Sequence, residues 1–105
     1  SPFFVKQVKK LLEENDISGW HCFPIVIQGH DDKQYFGFQI TSKASKILNL
    51  DRLNHYVDQY IEFDINTWDG SDFFTLEETG ITACTHKVKA LFENAMITNV
   101  QFDRL

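Results

Sequence analysis

Val8-Lys-Lys-Leu-Leu-Glu-Glu-Asn-Asp-Ile17 near the start of the chain returns as Val88-Lys-Ala-Leu-Phe-Glu-Asn-Ala-Met-Ile97 near its end. The two stretches lie 80 residues apart and share five of ten positions: Val8/Val88, Lys9/Lys89, Leu11/Leu91, Glu13/Glu93 and Ile17/Ile97. Ser18/Thr98 and Gly19/Asn99 continue the likeness. Each copy reads as an amphipathic helix, a tight turn and a closing strand. Solenoids repeat at shorter periods and more than once. A single recurrence predicts instead one pseudo-symmetric domain of two equivalent units, which is not the plan of a catalytic framework.

Working outward from the first copy, Ser1 suits a cap and Pro2 the first helical position. Val5, Val8, Leu11 and Leu12 form one stripe, with Lys6, Lys9, Lys10, Glu13 and Glu14 facing water. The helix stops near Asn15-Asp16, and Ser18-Gly19 turns the chain. The next strand puts Phe23, Ile25 and Ile27 on one face and Cys22 and Val26 on the other; Pro24 suggests an edge or a strand start. Gly29 to Lys33 reads as a hairpin loop. The return strand, Gln34 to Thr41, turns Phe36, Phe38 and Ile40 inward. A short helix fits near 51–58, although Leu48, Leu50 and Leu53 match neither period. Tyr60 to Ile65 alternates as a strand with Ile61, Phe63 and Ile65 buried. Asp72–Leu76 and Ile81–Cys84 pair across Glu77–Gly80. Thr85 is placed to cap the last helix, whose stripe is Val88, Leu91, Phe92 and Ala95; Ile97, Val100 and Phe102 lie on the closing strand. The expected fold is α+β, a mainly antiparallel sheet with two helices on one face and the helix-strand unit repeated at both ends. The expected core includes Leu11, Leu91, Phe92, Phe36, Phe38, Ile61 and Phe63.

Residues 1–105 make a single domain at this length, and ten Phe supply apolar volume for a core. The chain opens Ser1-Pro2 without an initiator Met, so the expectation is the C-terminal part of a longer or processed protein. No signal peptide or membrane-spanning apolar run is visible. Cys22 and Cys84 lie far apart in apolar strands, which predicts buried free thiols in a reducing, cytoplasmic setting.

The net charge of −5 is concentrated. Residues 51–78 carry Arg52 against Asp51, Asp58, Glu62, Asp64, Asp69, Asp72, Glu77 and Glu78, a local balance of −7, while each flank is +1. Such a segment repels phosphate, which argues against nucleic acid, and steers a basic protein partner. Trp68, beside Asp69-Gly70, is an aromatic of the kind enriched at interfaces. The expected partner-binding residues are Asp58, Glu62, Asp64, Trp68, Asp69 and Asp72.

Chemistry is less well supported. Metal-binding signatures such as HExxH, paired CxxC or an EF-hand loop are missing, as is a Gly-rich phosphate loop. Neither cysteine sits in a nucleophile motif. The expectation is therefore no catalytic residue, no metal and no cofactor. A small metal-dependent hydrolase using His30, Asp31, Asp32 or His55 is one alternative, and an interaction or scaffold module of a larger bacterial protein is another.

The helix followed by Ile-Ser/Thr-Gly/Asn and an extended strand, with Val5–Ile25, Gly70-Ser-Asp-Phe-Phe74 and Ala83–Leu105, resembles the C-terminal signature of a bacterial immunity-protein group from polymorphic-toxin loci, mostly domains of unknown function. The order of elements is similar over most of the chain. Where the middle of that pattern favours an Asp and a Ser, this chain has Asn49 and Leu53. The resemblance implies a non-catalytic cytoplasmic protein that binds and neutralises a cognate toxin by occlusion, with no nucleic-acid or membrane partner.

Overall fold

The computed structural model describes residues 2–29, 35–54, 60–97, 100 and 102. The element order is α1 (Pro2–Glu14), β1 (Trp20–Ile25), β2 (Tyr35–Ile40), β3 (Lys43–Ala44), α2 (Leu50–Asn54), a 3-10 turn (Ile65–Thr67), β4 (Phe73–Leu76), β5 (Ile81–Cys84) and α3 (His86–Asn94). The fold is α+β.

The two helical copies end in the same way, atom for atom. The Ile17 N–H donates to the Leu12 carbonyl at 3.0 Å, and the Ile97 N–H to the Phe92 carbonyl at 3.0 Å. One residue earlier, the N–H of Asp16 reaches Glu13 at 3.3 Å and that of Met96 reaches Glu93 at 3.1 Å. Asp16 and Met96 carry the matching left-handed φ of 52° and 57°. This is the Schellman arrangement, in which a left-handed residue lets its own amide and the one after it satisfy the last helical carbonyls. It also folds an apolar residue back onto the helix. Ile17 and Leu12 are buried together, and Ile97 packs beside Phe92. The Lys9–Glu13 and Lys89–Glu93 pairs, at 3.7 and 3.9 Å, repeat on the water side.

Both stripes meet in one core. Val8, Leu12, Ile17, Val88 and Phe92 close around Phe73, with Leu11, Leu91, Trp20 and Ile40 packed against them. Phe74, the next residue of β4, points the other way, into a second cluster with Ala44, Leu76 and Ala83, covered by Ile61, Phe63 and Trp68. Strand β4 is thus buried on both faces. Helices α1 and α3 both serve the Phe73 side.

The strand pairing is mainly antiparallel, as expected, but it is divided between two sheets. β1 and β2 form a two-stranded antiparallel ribbon; β3, β4 and β5 form a second sheet in which β3 runs parallel to β4. Gly19 is the joint between them. A Cβ there would stand 2.0 Å from the Phe73 carbonyl oxygen, and its φ is 90°, so only glycine fits.

Four other expectations are corrected. Tyr60–Ile65 is not a strand: Ile47 and Phe63 make an isolated antiparallel bridge, and Ile65 opens the 3-10 turn at 66% exposure instead of being buried. Side chains there supply what a ladder would. Asn49, itself buried, donates to the Tyr60 carbonyl at 2.8 Å and accepts from the Glu62 N–H at 2.9 Å. The Thr67 hydroxyl accepts from the Ser45 N–H at 3.0 Å. Such bonds divert backbone from regular structure. Second, Thr85 occupies the N-cap position of α3, but its hydroxyl makes no cap bond; it donates to Asp72 Oδ1 at 3.0 Å. Third, Ile97, Val100 and Phe102, the described residues of the expected closing strand, lie in no strand. Fourth, of the expected core Phe92 is buried and Leu11, Leu91, Phe36, Ile61 and Phe63 are half-buried, but Phe38 is 44% exposed, stacked on Trp20 and edge-on to Phe73. Cys22 and Cys84 are free thiols but half-buried, and desolvation pushes both upward in pKa.

Candidate functional site

The acidic segment divides into two groups of residues with different roles. Asp72 is a clamp between the repeated units. Its Oδ2 accepts from the Ser18 N–H at 3.1 Å and lies 3.4 Å from the Ser18 hydroxyl, while the Asp72 N–H donates to that hydroxyl at 3.0 Å. Its Oδ1 takes the Thr85 hydroxyl, and its carbonyl accepts the Thr85 N–H at 2.9 Å. One half-buried carboxylate therefore fastens the end of the first helix-turn unit to the start of the second.

Asp69 caps the turn before it. Its Oδ1 accepts from the Ser42 hydroxyl at 2.6 Å and from the Ser71 N–H at 3.0 Å. The bond from Ser42, followed by those from Ser71, holds this carboxyl below its ordinary range. Trp68 donates its indole N–H to the Ser71 carbonyl at 3.1 Å and packs its ring against Phe74 and Phe63, at centroid distances of 5.3 and 6.2 Å. Asp64 caps the 3-10 turn through the Asn66 N–H at 3.0 Å. Glu77 pairs with Lys43 at 3.7 Å, and Glu78 accepts from the Ile47 N–H.

Asp51 and Glu62 remain exposed without a side-chain partner among the described residues. Asp58 lies outside the described residues, as do His30, Asp31, Asp32 and His55. No group of three or more His, Cys, Asp or Glu among the described residues could hold a metal.

The geometry adds residues that the sequence pattern missed. The Leu48 N–H donates to the Glu62 carbonyl at 2.7 Å and the Asp64 N–H to the Lys46 carbonyl at 3.0 Å. These bonds flank the Ile47–Phe63 bridge, so Ile47 and Phe63 turn inward while Leu48 and Glu62 turn out side by side. Leu48 is 62% exposed, Tyr60 49% and Ile65 66%. Exposed Leu48 thus sits beside the exposed carboxylate of Glu62. The signal was present in Leu48, which fits neither a helical nor a strand period.

A second apolar face lies on the ribbon. Thr41 N–H donates to the Gly19 carbonyl at 2.9 Å. With the observed register, this makes His21, Phe23 and Ile25 exchange bonds with Gln39, Gly37 and Tyr35. Pro24 falls at a position whose nitrogen points away from β2, so its missing N–H breaks nothing. Trp20, Phe36, Phe38 and Ile40 share the side turned to the core, with the Lys9 ammonium 5.6 Å from the Phe36 ring centroid. His21, Phe23 and Ile25 share the outer side and are exposed. The Phe23 ring lies across Gly37, where a Cβ would come within 2.3 Å of it.

Comparison with protein-family models, with curated proteins and with solved structures finds no match to this chain. No helix among the described residues is long and apolar enough to cross a membrane.

Proposed function

We propose that this chain is a non-catalytic, cytoplasmic binding protein of the bacterial immunity type, which neutralises a cognate toxin by docking on it and occluding its active site. The observation that carries the reading is that Leu48 and Glu62 turn outward side by side, with Tyr60 and Ile65 exposed on the same 60–65 segment as Glu62. Apolar anchors ringed by charge are what a specific protein interface uses. The sign of the charge selects a basic partner and speeds its approach. Occlusion requires no reacting group. Asp64, Trp68, Asp69 and Asp72 support this face by fixing the loops behind it.

The test is a binding titration against the toxin-like product of the neighbouring gene at two salt concentrations. Glu62→Gln should slow association and flatten its salt dependence. Leu48→Ala and Ile65→Ala should each speed dissociation about tenfold, the effect of losing a desolvated anchor. Binding that ignores salt and tolerates both apolar truncations would remove this face from the mechanism.

A further inference from the structure

The 60–64 segment is paired along one edge and bare along the other. Toward residues 46–49 its backbone is engaged. The Tyr60 carbonyl and the Glu62 N–H meet the Asn49 side chain. The Glu62 carbonyl accepts from the Leu48 N–H, and the Asp64 N–H donates to the Lys46 carbonyl. Asp64 itself is extended, with φ −72° and ψ 108°. In an extended chain successive residues turn their backbone groups to opposite edges, so the N–H and C=O of Ile61 and Phe63 point the other way. There they meet no hydrogen-bond partner among the described residues. Ile47, bridged to Phe63, shows the contrast: its own outward N–H is taken by the Glu78 carboxylate.

We propose that this bare edge takes an extended segment of a basic protein partner as an added strand, one that alternates Lys or Arg with apolar residues. A row of unpaired N–H and C=O groups is a template for strand addition, with the backbone supplying affinity and alternate side chains the specificity. Glu62 and Asp64 fall on one face of the segment. Ile61 and Phe63 fall on the other, where they pack against the Phe74 cluster. Opposite charges across a strand pair stabilise it and like charges oppose it. A strand laid along this edge is therefore matched when its cations stand beside Glu62 and Asp64 and its apolar side chains beside Ile61 and Phe63.

The same rule selects the occupant. A second copy of the segment would set carboxylate against carboxylate, and phosphate is repelled for the same reason. The strands β1, β2 and β5 also have outer edges, but none of the three contains Asp, Glu, Lys or Arg. Their edges choose no partner by charge, and Pro24 removes a donor from β1 as well. The inference rests on the reading above that a basic protein docks beside Glu62, and it adds the means of docking.

The probe is a synthetic cyclic β-hairpin whose outer strand alternates lysine with valine, titrated into the isotope-labelled chain up to about 1 mM. Amide exchange is followed at Ile61 and Phe63. Two control hairpins accompany it, one N-methylated on the amides of its outer edge and one with glutamate in place of lysine. The lysine hairpin should bind with a Kd below about 1 mM and slow exchange at both amides. The N-methylated and glutamate hairpins should do neither. Glu62→Lys, at an exposed side chain, should weaken the lysine hairpin about tenfold, with circular dichroism checking the fold. No binding up to about 1 mM, binding that leaves Ile61 and Phe63 exchanging as before, or equal binding of the N-methylated hairpin would overturn it. The hairpin reads the edge without any toxin, so this experiment and the titration against the neighbouring gene product fail independently.

Discussion

Met96→Gly should stabilise the protein, and the reason lies in the duplicated helix end. Met96 holds a left-handed φ of 57° and is 84% exposed. A non-glycine residue pays roughly 1–2 kcal/mol for that conformation. Glycine removes this strain but adds unfolded-state entropy worth about 0.5–1 kcal/mol. The exposed thioether has little packing to lose. The net gain is about 0.5–1 kcal/mol, a rise of roughly 3–6 °C in Tm for a domain near this size. The equivalent change, Asp16→Gly, starts from φ 52°, but Asp tolerates the left-handed region better than Met. Its carboxylate also opposes the negative end of α1, a cost of about 0.3–1 kcal/mol that salt screens. The Asp16→Gly gain should therefore shrink as salt rises, while the Met96→Gly gain should not. Urea and thermal unfolding at two salt concentrations read both. A Met96→Gly protein less stable than the parent would mean that the second helix does not end as the first does, and the equivalence of the units would fail.

Leu12→Ala, at a side chain with no exposure, should cost about 3–5 kcal/mol in urea unfolding, and half-buried Leu91→Ala should cost distinctly less, about 1–2 kcal/mol; equal losses would misplace the helix faces. Asp72→Ala leaves the amide of Ser18 and the hydroxyl of Thr85 without their shared acceptor and should cost about 1–3 kcal/mol, with amide exchange speeding at Ser18; unchanged exchange there would mean the clamp does not hold. Asp69 has a folded pKa below its ordinary 3.8, so its contribution is present above that value and is lost as pH falls through the lower folded value. Asp69→Asn should accordingly flatten the acid limb of a urea-midpoint-versus-pH curve below about pH 4; an acid limb as steep as the parent's would show that the Ser42 and Ser71 bonds do not survive in solution.

The helices were legible because a 3.6-residue stripe has one physical reading once its polar side is charged. Val8, Leu12, Val88 and Phe92 are buried where the stripe puts them. The β4–β5 hairpin was legible because Glu77–Gly80 leaves the chain few other ways to turn. The ribbon face was not. Trp20 to Ile25 is apolar on both sides, so alternation cannot say which side meets the core; the register with β2 decides it. Tyr60 to Ile65 failed for a different reason. Its alternation is real, but Asn49 takes the Tyr60 carbonyl and the Glu62 N–H and Thr67 takes the Asp64 carbonyl, and nothing in a periodic pattern reports a side chain eleven residues away acting as the partner strand.

The acidic segment shows how far a charge count reaches. A hydrogen bond from a neutral donor does not cancel a carboxylate's charge, so Asp64, Asp69 and Asp72 still contribute to the field that a basic partner meets at a distance. What they lose is freedom at short range, because their oxygens are engaged with Asn66, Ser42, Ser71, Ser18 and Thr85. In the binding function proposed above, steering and recognition would therefore fall to different residues. Under the proposed function, the charge of the segment would set the approach, while Glu62 and Leu48, with exposed Tyr60 and Ile65, would be the groups desolvated on contact. It follows that neutralising Asp69 or Asp72 changes stability together with charge and cannot isolate steering. Asp51 and Glu62 are the carboxylates whose removal leaves the described hydrogen bonds intact, so the salt dependence of association has to be dissected through them.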